Sequence, residues 1–277
     1  MTDIDISEGA SAAGAPWKDD VSRASALPSK VPEVTAYFWG IKVLCTTVGE
    51  TAADFLNTNL DYGLTKTSYV MSALLLLVLV AQFRVRRYVP VLYWLAVVLI
   101  SVVGTLVSDN LTDNLNVPLT VTTPVFAGAL AITFAAWYLV EGTLSIHSVR
   151  TTRREVFYWL AILFTFALGT SGGDLVAERL NVGYLPSVGL FAAVIVLIAG
   201  AHYLLRLDAV LSFWLAYIVT RPLGASVGDY LSSDRSEGGL GLGTTGTSAL
   251  FLTVILCLVI YLSVSGRDRE GEQPLAS

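Results

Sequence analysis

Residues 39–54 read WGIKVLCTTVGETAAD, and the skeleton of this stretch recurs three more times along the chain. In each copy a glycine follows a tryptophan by ten residues, and an aspartate follows that glycine by five. The four copies are Trp39–Gly49–Asp54, Trp94–Gly104–Asp109, Trp159–Gly169–Asp174 and Trp214–Gly224–Asp229. Regular recurrence of this kind predicts a fold assembled from four similar units.

The composition indicates a membrane protein. Of the 277 residues, 54% are apolar and 14% are charged, and the mean hydropathy is +0.66. Soluble domains contain about 25% charged residues. The net charge of −5 carries little information, because the placement of charges sets topology. Cys45 and Cys257 lie in separate apolar runs and are interpreted as packing residues, since a disulfide or zinc site needs closer pairing or more ligands.

Eight segments are long and apolar enough to cross a bilayer as helices, which takes about 20 residues each. Four of them carry the motif, at about 36–57, 90–112, 156–178 and 209–231. Four plainer ones alternate with these, at about 66–83, 122–141, 185–205 and 246–264. Because each pair of helices returns the chain to the same side, the repeats are parallel, unlike the inverted repeats of many transporters. The predicted fold is all-α, a polytopic membrane bundle of eight transmembrane helices from four parallel two-helix repeats. The motif helices are expected to line the centre and the others to face lipid.

The charges outside these segments predict the domain limits and the orientation. Residues 1–32 are expected to form a disordered cytoplasmic tail, 33–265 the membrane domain, and 266–277 a second cytoplasmic tail. The repeats within the membrane domain are expected at about 36–83, 90–141, 156–205 and 209–264. Twelve Lys and Arg residues fall on the side of the termini, against Lys66, Arg179 and Arg235 on the other. The positive-inside rule therefore places both termini in the cytoplasm, with the tryptophans as anchors in that interface.

The acids of the motif helices are the candidate functional residues. Each repeated aspartate lies fifteen residues beyond its tryptophan, about 22 Å along a helix, so the four should form one layer in the outer half of the membrane. A carboxylate in hydrocarbon costs several kcal/mol unless it is paired, protonated or hydrated. Carboxylate and hydroxyl oxygens are ligands that hard cations favour. The hypothesis is a cation or proton site formed by Glu50, Asp54, Asp109, Asp174 and Asp229. Supporting residues are Thr46, Thr47, Asp113, Glu178 and Arg221.

Three charged or proline residues distinguish individual copies of the motif. Lys42 follows Trp39 by three residues and is interpreted as extending its amine to the cytoplasmic interface. Arg221 lies in an apolar run and is expected to pair with one or more of the acids. Pro222 is expected to remove a backbone hydrogen bond and kink its helix, and a broken helix near charged groups is a feature of transporters. The two histidines, His147 and His202, are interpreted as interfacial residues.

Two other classes of function compete with cation transport. The acids and Arg221 could instead form a structural network in a membrane scaffold or sensor partner that transports nothing. An enzyme is not expected, because the chain lacks the Gly-x-Gly-Asp of intramembrane aspartyl proteases, a Walker A loop and His-Glu-x2-His. The expected partners are the lipid bilayer and a small cation, with no nucleic acid. The sequence assigns no cofactor, substrate or oligomeric state.

The run VPEVTAYFWGIKVLCTTVGETAADFLN, with the copies YW…GT…D, YW…GTSGGDL and FW…RPLGASVGDYL, resembles a bacterial family. These are the "membrane-anchored" proteins built from four copies of a two-helix repeat of unknown function. The resemblance covers about 33–265 and includes both the motif spacing and the number of repeats. It implies a multi-pass protein of the bacterial inner membrane and supplies no ligand residues.

Overall fold

A computed structural model describes residues 29–56 and 63–268, and the predicted tail residues 1–28 and 269–277 lie outside the described part. Over the described residues the chain contains eight long helices and no strand. The four that carry the motif are α1 (Ala36–Asp54), α3 (Pro90–Asp109), α5 (Thr152–Asp174) and α7 (Ala209–Ser232). The four that alternate with them are α2 (Gly63–Arg84), α4 (Leu119–Glu141), α6 (Tyr184–Leu205) and α8 (Gly243–Ser265). The predicted all-α bundle of four two-helix repeats is confirmed.

Seven of the eight helices are long and apolar enough to cross a membrane, as expected of an integral membrane protein. The exception is α1, whose 19 residues include Lys42, Glu50 and Asp54. These charges fall within its apolar run and lower its hydropathy. Of the eight helices, α1 therefore has the weakest tendency to enter lipid.

The motif helices, called here the inner helices, pack side by side in a closed ring in the order α1, α3, α5, α7 and back to α1. Each of the other four, the outer helices, packs mainly against the inner helix of the following repeat. Thus α2 covers α3, α4 covers α5, α6 covers α7, and α8 returns to cover α1. The outer helices bury few residues, and in α6 only Ser187 is buried. The prediction that the motif helices line the centre is confirmed.

The repeated glycines hold this ring together. At each repeated glycine, an added Cβ would overlap a side chain of the next inner helix in the ring. That side chain stands seven residues after the tryptophan of its own helix. The four pairs are Gly49 with Ser101, Gly104 with Phe166, Gly169 with Arg221, and Gly224 with Thr46. Small residues allow helices to approach closely where the hydrophobic effect gives little driving force. The glycine of the motif is therefore a packing residue at every helix–helix contact of the ring.

We expect Gly49→Ala to lower the free energy of unfolding by about 1–3 kcal/mol, the usual cost of overpacking. The new methyl group would collide with Ser101 and its backbone. Gly40→Ala is the matched control in the same helix, since nothing lies within 4 Å of a Cβ there. It should be neutral or stabilising, because alanine is the better helix former. Unfolding of both variants in detergent measures the difference, and equal stabilities would contradict the packing role.

At one end of the ring, called here the tryptophan end, the aromatic residues of the motif form a buried layer. Trp94, Trp159 and Trp214 are at most 3% exposed. Tyr93 and Tyr158 are fully buried, and their hydroxyls share a hydrogen bond of 2.5 Å. The prediction that the tryptophans anchor in the membrane interface is wrong for these three, because the neighbouring helices cover them. Trp39 alone is half-buried.

The segment before α1 closes the tryptophan end. Lys30 is buried, and its Nζ donates to Glu155 Oε2 at 2.6 Å and to the Phe83 carbonyl at 3.2 Å. Glu155, 1% exposed, also accepts from Gln82 Nε2 at 3.1 Å. The Lys30 amide donates to the Val149 carbonyl. Residues 29–32, which the prediction assigns to the first tail, are therefore buried against the helical part of the chain.

The end of the described chain binds to the same place. The Tyr88 hydroxyl donates to Asp268 Oδ2 at 2.6 Å, and the Glu33 amide donates to the Asp268 carbonyl. Burial, with the nearby Asp268 carboxylate, raises the pKa of Tyr88 above its ordinary range, so the phenol keeps its proton. The segments on both sides of the helical domain therefore meet beneath the tryptophan end and fasten the ring there.

Candidate cation site on the axis of the ring

Four levels of side chains face the axis of the ring, at three, seven, eleven and fifteen residues after each tryptophan. Spacing by four residues keeps these positions on one face of a helix. The first level holds Lys42, Val97, Ile162 and Tyr217; the second holds Thr46, Ser101, Phe166 and Arg221. The third holds Glu50, Thr105, Thr170 and Ala225, and the fourth holds the repeated aspartates. Members of the first three levels are all at most 6% exposed.

Arg221 is the centre of the second and third levels. Its side chain is fully buried, and its guanidinium binds groups from all three of the other inner helices. Nη2 contacts Glu50 Oε2 of α1 at 2.9 Å and Thr170 Oγ1 of α5 at 2.6 Å, and it also donates to Thr105 Oγ1 of α3. Nη1 donates to the Thr46 carbonyl at 3.2 Å. One side chain of α7 thus connects all four repeats across the axis.

Glu50 is the acid that Arg221 binds, so the expected pairing of Arg221 with an acid is confirmed. Thr46 and Thr47 are buried beside it, and both hydroxyls donate to the Val43 carbonyl of their own helix. The helix that carries Arg221 runs without interruption from Ala209 to Ser232. Pro222 therefore lies inside a continuous helix.

Lys42 lies on the axis and not at the interface, so its interpretation as an interfacial residue is wrong. Its side chain is fully buried, with Nζ 4.3 Å from the centroid of the Phe166 ring and 4.1 Å from that of Tyr217. Contacts of this kind with an ammonium are favourable. Within the described part of the chain, Nζ makes no hydrogen bond. Lys42 is thus held by aromatic faces on two other inner helices.

The four repeated aspartates occupy the other end of the ring, called here the aspartate end. All four are half-buried. Asp109 lies close enough to Glu50, Asp54 and Asp174 to feel their charges, as well as that of Asp113 in its own segment. Asp113 itself is exposed. Glu178 falls in the turn Leu175–Arg179, and its side chain is outside the described part. Asp54, Asp109 and Asp174 therefore lie near one another, with Glu50 one level deeper.

The backbone changes its winding at the repeated aspartates. In three copies the regular α-helix ends at the aspartate and continues as a π-turn, over residues 55–56, Asn110–Asn114 and Leu175–Arg179. In the fourth copy α7 continues three residues past Asp229. Wider π-turns are rare and occur frequently at functional sites. Because the π-turn follows the aspartate directly in three of the four repeats, we associate it with the aspartate.

The side chains that most often bind metals do not form a cluster in the described part of the chain. Among residues 29–56 and 63–268, no three His, Cys, Asp or Glu side chains are grouped so that they could hold a metal ion. The histidines lie beyond the tryptophan end, where His147 Nε2 is 3.4 Å from Glu33 and His202 Nδ1 is 2.9 Å from the Leu207 carbonyl. Both line a cavity of about 710 Å³ between α1, α6 and α7. This cavity is separate from the acids.

Two groups of functional interest were not predicted from the sequence. Thr105 and Thr170 bind Arg221. Each follows the tryptophan of its own repeat by eleven residues, as Glu50 does, and this shared spacing is the sequence signal that would have identified them. Glu155, the partner of Lys30, stands in a basic segment and resembles a solvated residue in the sequence. Nothing in the local pattern marks it as buried.

Comparison with known proteins identifies the repeat. The family described as Repeat of Unknown Function (DUF347) matches the chain four times, at residues 37–88, 92–143, 157–207 and 212–268. Each match covers one inner helix and the outer helix that follows it. No curated protein and no solved structure matches the chain.

Proposed function

We propose that this chain, which belongs to the family built from the DUF347 repeat, carries a cation across the membrane along the axis of its inner ring. The observation that supports this most directly is the position of the acids. Four half-buried aspartates surround one end of the axis, and Glu50 lies below them. Intramembrane carboxylates are costly and usually mark ion pathways. The proposed activity is transport and involves no chemical reaction.

The arrangement of charge suggests an order of events. The aspartate end concentrates negative charge and would attract cations to the mouth of the ring. Beyond this layer, the next carboxylate is Glu50, which Arg221 already binds at 2.9 Å. An entering cation must therefore compete with the guanidinium for Glu50. In this proposal Arg221 closes the axis while the site holds no cation, and displacement of Arg221 opens it.

Neutral oxygen ligands are available at the same levels. The hydroxyls of Ser101 and Ser226 are buried and have no hydrogen-bond partner within the described residues. Thr105 and Thr170 hydroxyls already contact Arg221 and would be released with it. A hard cation, either a divalent metal or a monovalent ion exchanged for protons, takes ligands of this type.

The alternative function, a structural scaffold or sensor partner, is favoured by one specific observation. Arg221 binds groups on α1, α3 and α5, which is also what a residue that locks four repeats together would do. In that case the ring would hold a fixed arrangement and the acids would serve stability alone. Transport and scaffolding differ in whether removing an aspartate charge changes flux or only stability.

We expect Asp109→Asn to reduce cation flux more than tenfold, with a folded protein remaining. At an effective dielectric constant of about 20, a carboxylate and a cation about 10 Å apart attract each other by about 1.7 kcal/mol. Loss of that attraction weakens cation binding more than tenfold. Asp234→Asn is the matched control, because Asp234 is exposed in the connection between α7 and α8 and belongs to none of the four levels. Its flux should stay within about twofold of the natural protein, since exposed charges are screened.

The measurement is flux into liposomes that contain the purified protein. It is run for monovalent and divalent cations, each with and without a pH gradient. Absence of flux for every cation would reject transport. If the natural protein shows no flux and Asp109→Asn lowers its thermal stability, the scaffold function replaces the proposal.

A further inference from the structure

Lys42 breaks the repeat in a way that the proposed pathway does not yet use. The residues at the same offset in the other copies are Val97, Ile162 and Tyr217, so only the first copy places a charge here. Its ammonium is fully buried on the axis, without a hydrogen-bond partner in the described part of the chain. Because valine or isoleucine fills this position in other repeats, packing alone does not explain a buried amine here.

The surroundings of Lys42 contain cationic and neutral groups but no carboxylate at its own level. Arg221 and Tyr217 of α7 and Cys45 of α1 are the titratable groups that act on it. Both cations lie near the ring of Phe166 of α5, whose centroid is 4.3 Å from Lys42 Nζ and 5.5 Å from the Arg221 guanidinium carbon. When Lys42 is charged, two cations therefore share one aromatic ring, and only Arg221 has a carboxylate partner.

A cation at Glu50 would add a third positive charge to this region. Glu50 follows Lys42 by eight residues on α1, which corresponds to about 12 Å along a helix. At that separation, with an effective dielectric constant of about 20, two unit charges repel enough to change a binding constant about tenfold. Because binding equilibria are reciprocal, a cation at Glu50 would also weaken proton binding at Lys42 about tenfold.

We propose that Lys42 couples cation transport to the movement of a proton in the opposite direction. Lys42 holds a proton when Glu50 binds no transported cation, and the ammonium releases that proton to water when a monovalent cation arrives. The amine is then neutral, and the total charge of the ring is unchanged. This inference rests on the proposed transport function and specifies how that transport is coupled.

Two substitutions separate a titrating lysine from a lysine with a fixed charge. Lys42→Met has a similar shape and no charge, whereas Lys42→Arg has a permanent positive charge. We expect Lys42→Met to bind the transported cation about tenfold more tightly than Lys42→Arg at every pH. The affinity of the natural protein should equal that of Lys42→Arg at low pH and that of Lys42→Met at high pH. The acids are common to all three proteins, so their titration cancels in this comparison. Lys66→Met, at an exposed position, is the control and should follow the natural protein.

Binding is measured by calorimetry on the purified proteins in detergent with Na⁺ and K⁺, and flux in liposomes with a pH-sensitive dye inside. We expect cation entry to be accompanied by outward proton movement in the natural protein, and both Lys42 variants to move cations without protons. A natural affinity that parallels Lys42→Arg at all pH values would show a fixed charge and overturn the inference. So would unaltered proton movement in Lys42→Met.

The natural protein alone also decides the question if a variant does not fold. Cation flux without proton movement would reject the coupling and leave transport standing. No cation flux would reject transport and the coupling with it. The two failures are therefore distinguishable.

Discussion

Replacing Arg221 by methionine should lower the free energy of unfolding by about 3–5 kcal/mol, the range observed when one partner of a buried ion pair is removed. The substitution leaves the Glu50 carboxylate buried without its counter-charge and removes bonds to Thr105, Thr170 and the Thr46 carbonyl. Methionine retains the methylene groups that pack against Gly169. The loss therefore reports on the charge and its hydrogen bonds, and not on a cavity at the glycine.

Unfolding of the purified protein in detergent, followed by near-ultraviolet circular dichroism, measures this loss. Arg235→Met is the control, because Arg235 is exposed in the connection before α8 and should change stability by less than about 0.5 kcal/mol. The double variant Arg221→Met with Glu50→Met should recover much of the stability, since a buried pair can often be exchanged for apolar residues at little cost. Equal stability of Arg221→Met and Arg235→Met would show that Arg221 does not connect the repeats.

The second large effect is expected at the tryptophan end, where Glu155→Gln should cost about 3–5 kcal/mol. The amide keeps the shape of the side chain but leaves the Lys30 ammonium buried without a carboxylate, at 5% exposure. The remaining Lys30 contact to the Phe83 carbonyl, at 3.2 Å, cannot neutralise the charge. Because Lys30 belongs to the segment that closes the ring, this end of the ring should also become accessible to proteases.

Thermal unfolding and limited proteolysis measure the two consequences. Glu33→Gln is the control, since Glu33 is partly exposed and 3.4 Å from His147. Exposed pairs contribute about 0–1 kcal/mol. Lys30→Met should be as damaging as Glu155→Gln, and the double variant Lys30→Met with Glu155→Met less so. A stable Glu155→Gln protein with unchanged proteolysis would contradict the role of this pair.

Much of the fold could be predicted because the pattern is repeated and strongly apolar. The predicted start of α1 at residue 36 and of α3 at residue 90 coincide with the structure. The pairing of Arg221 could also be predicted, because an arginine in an apolar run needs a carboxylate. The order in which the outer helices pack on the inner ones could not be predicted. Sequence proximity suggests that an outer helix covers its own repeat, whereas contacts around the ring place it on the next one.

The errors at Lys42 and the tryptophans have one physical cause. The sequence predicts how deep a residue lies in the membrane but not whether it faces lipid or another helix. Trp94 and Lys42 have the offsets expected of interfacial residues, and the sequence gives no indication that neighbouring helices enclose them. Once the ring closes, the same height in the bilayer is the protein interior. The position of Asp109 near Glu50, Asp54 and Asp174 follows from the repeat, but the π-turns after the aspartates have no sequence signal.

The cyclic placement of the outer helices has a consequence for synthesis of the chain. Among the eight described helices, α1 is made before the others and is the one too polar to favour lipid by itself, yet its outer cover, α8, is made after the others. The contact between Gly224 and Thr46 that completes the ring likewise joins the last repeat to the first. During translation α1 must therefore remain sheltered, by the insertion machinery or by α3, until almost the whole chain has emerged. Among the eight described helices, α1 therefore emerges before the others and is the last to acquire its outer cover.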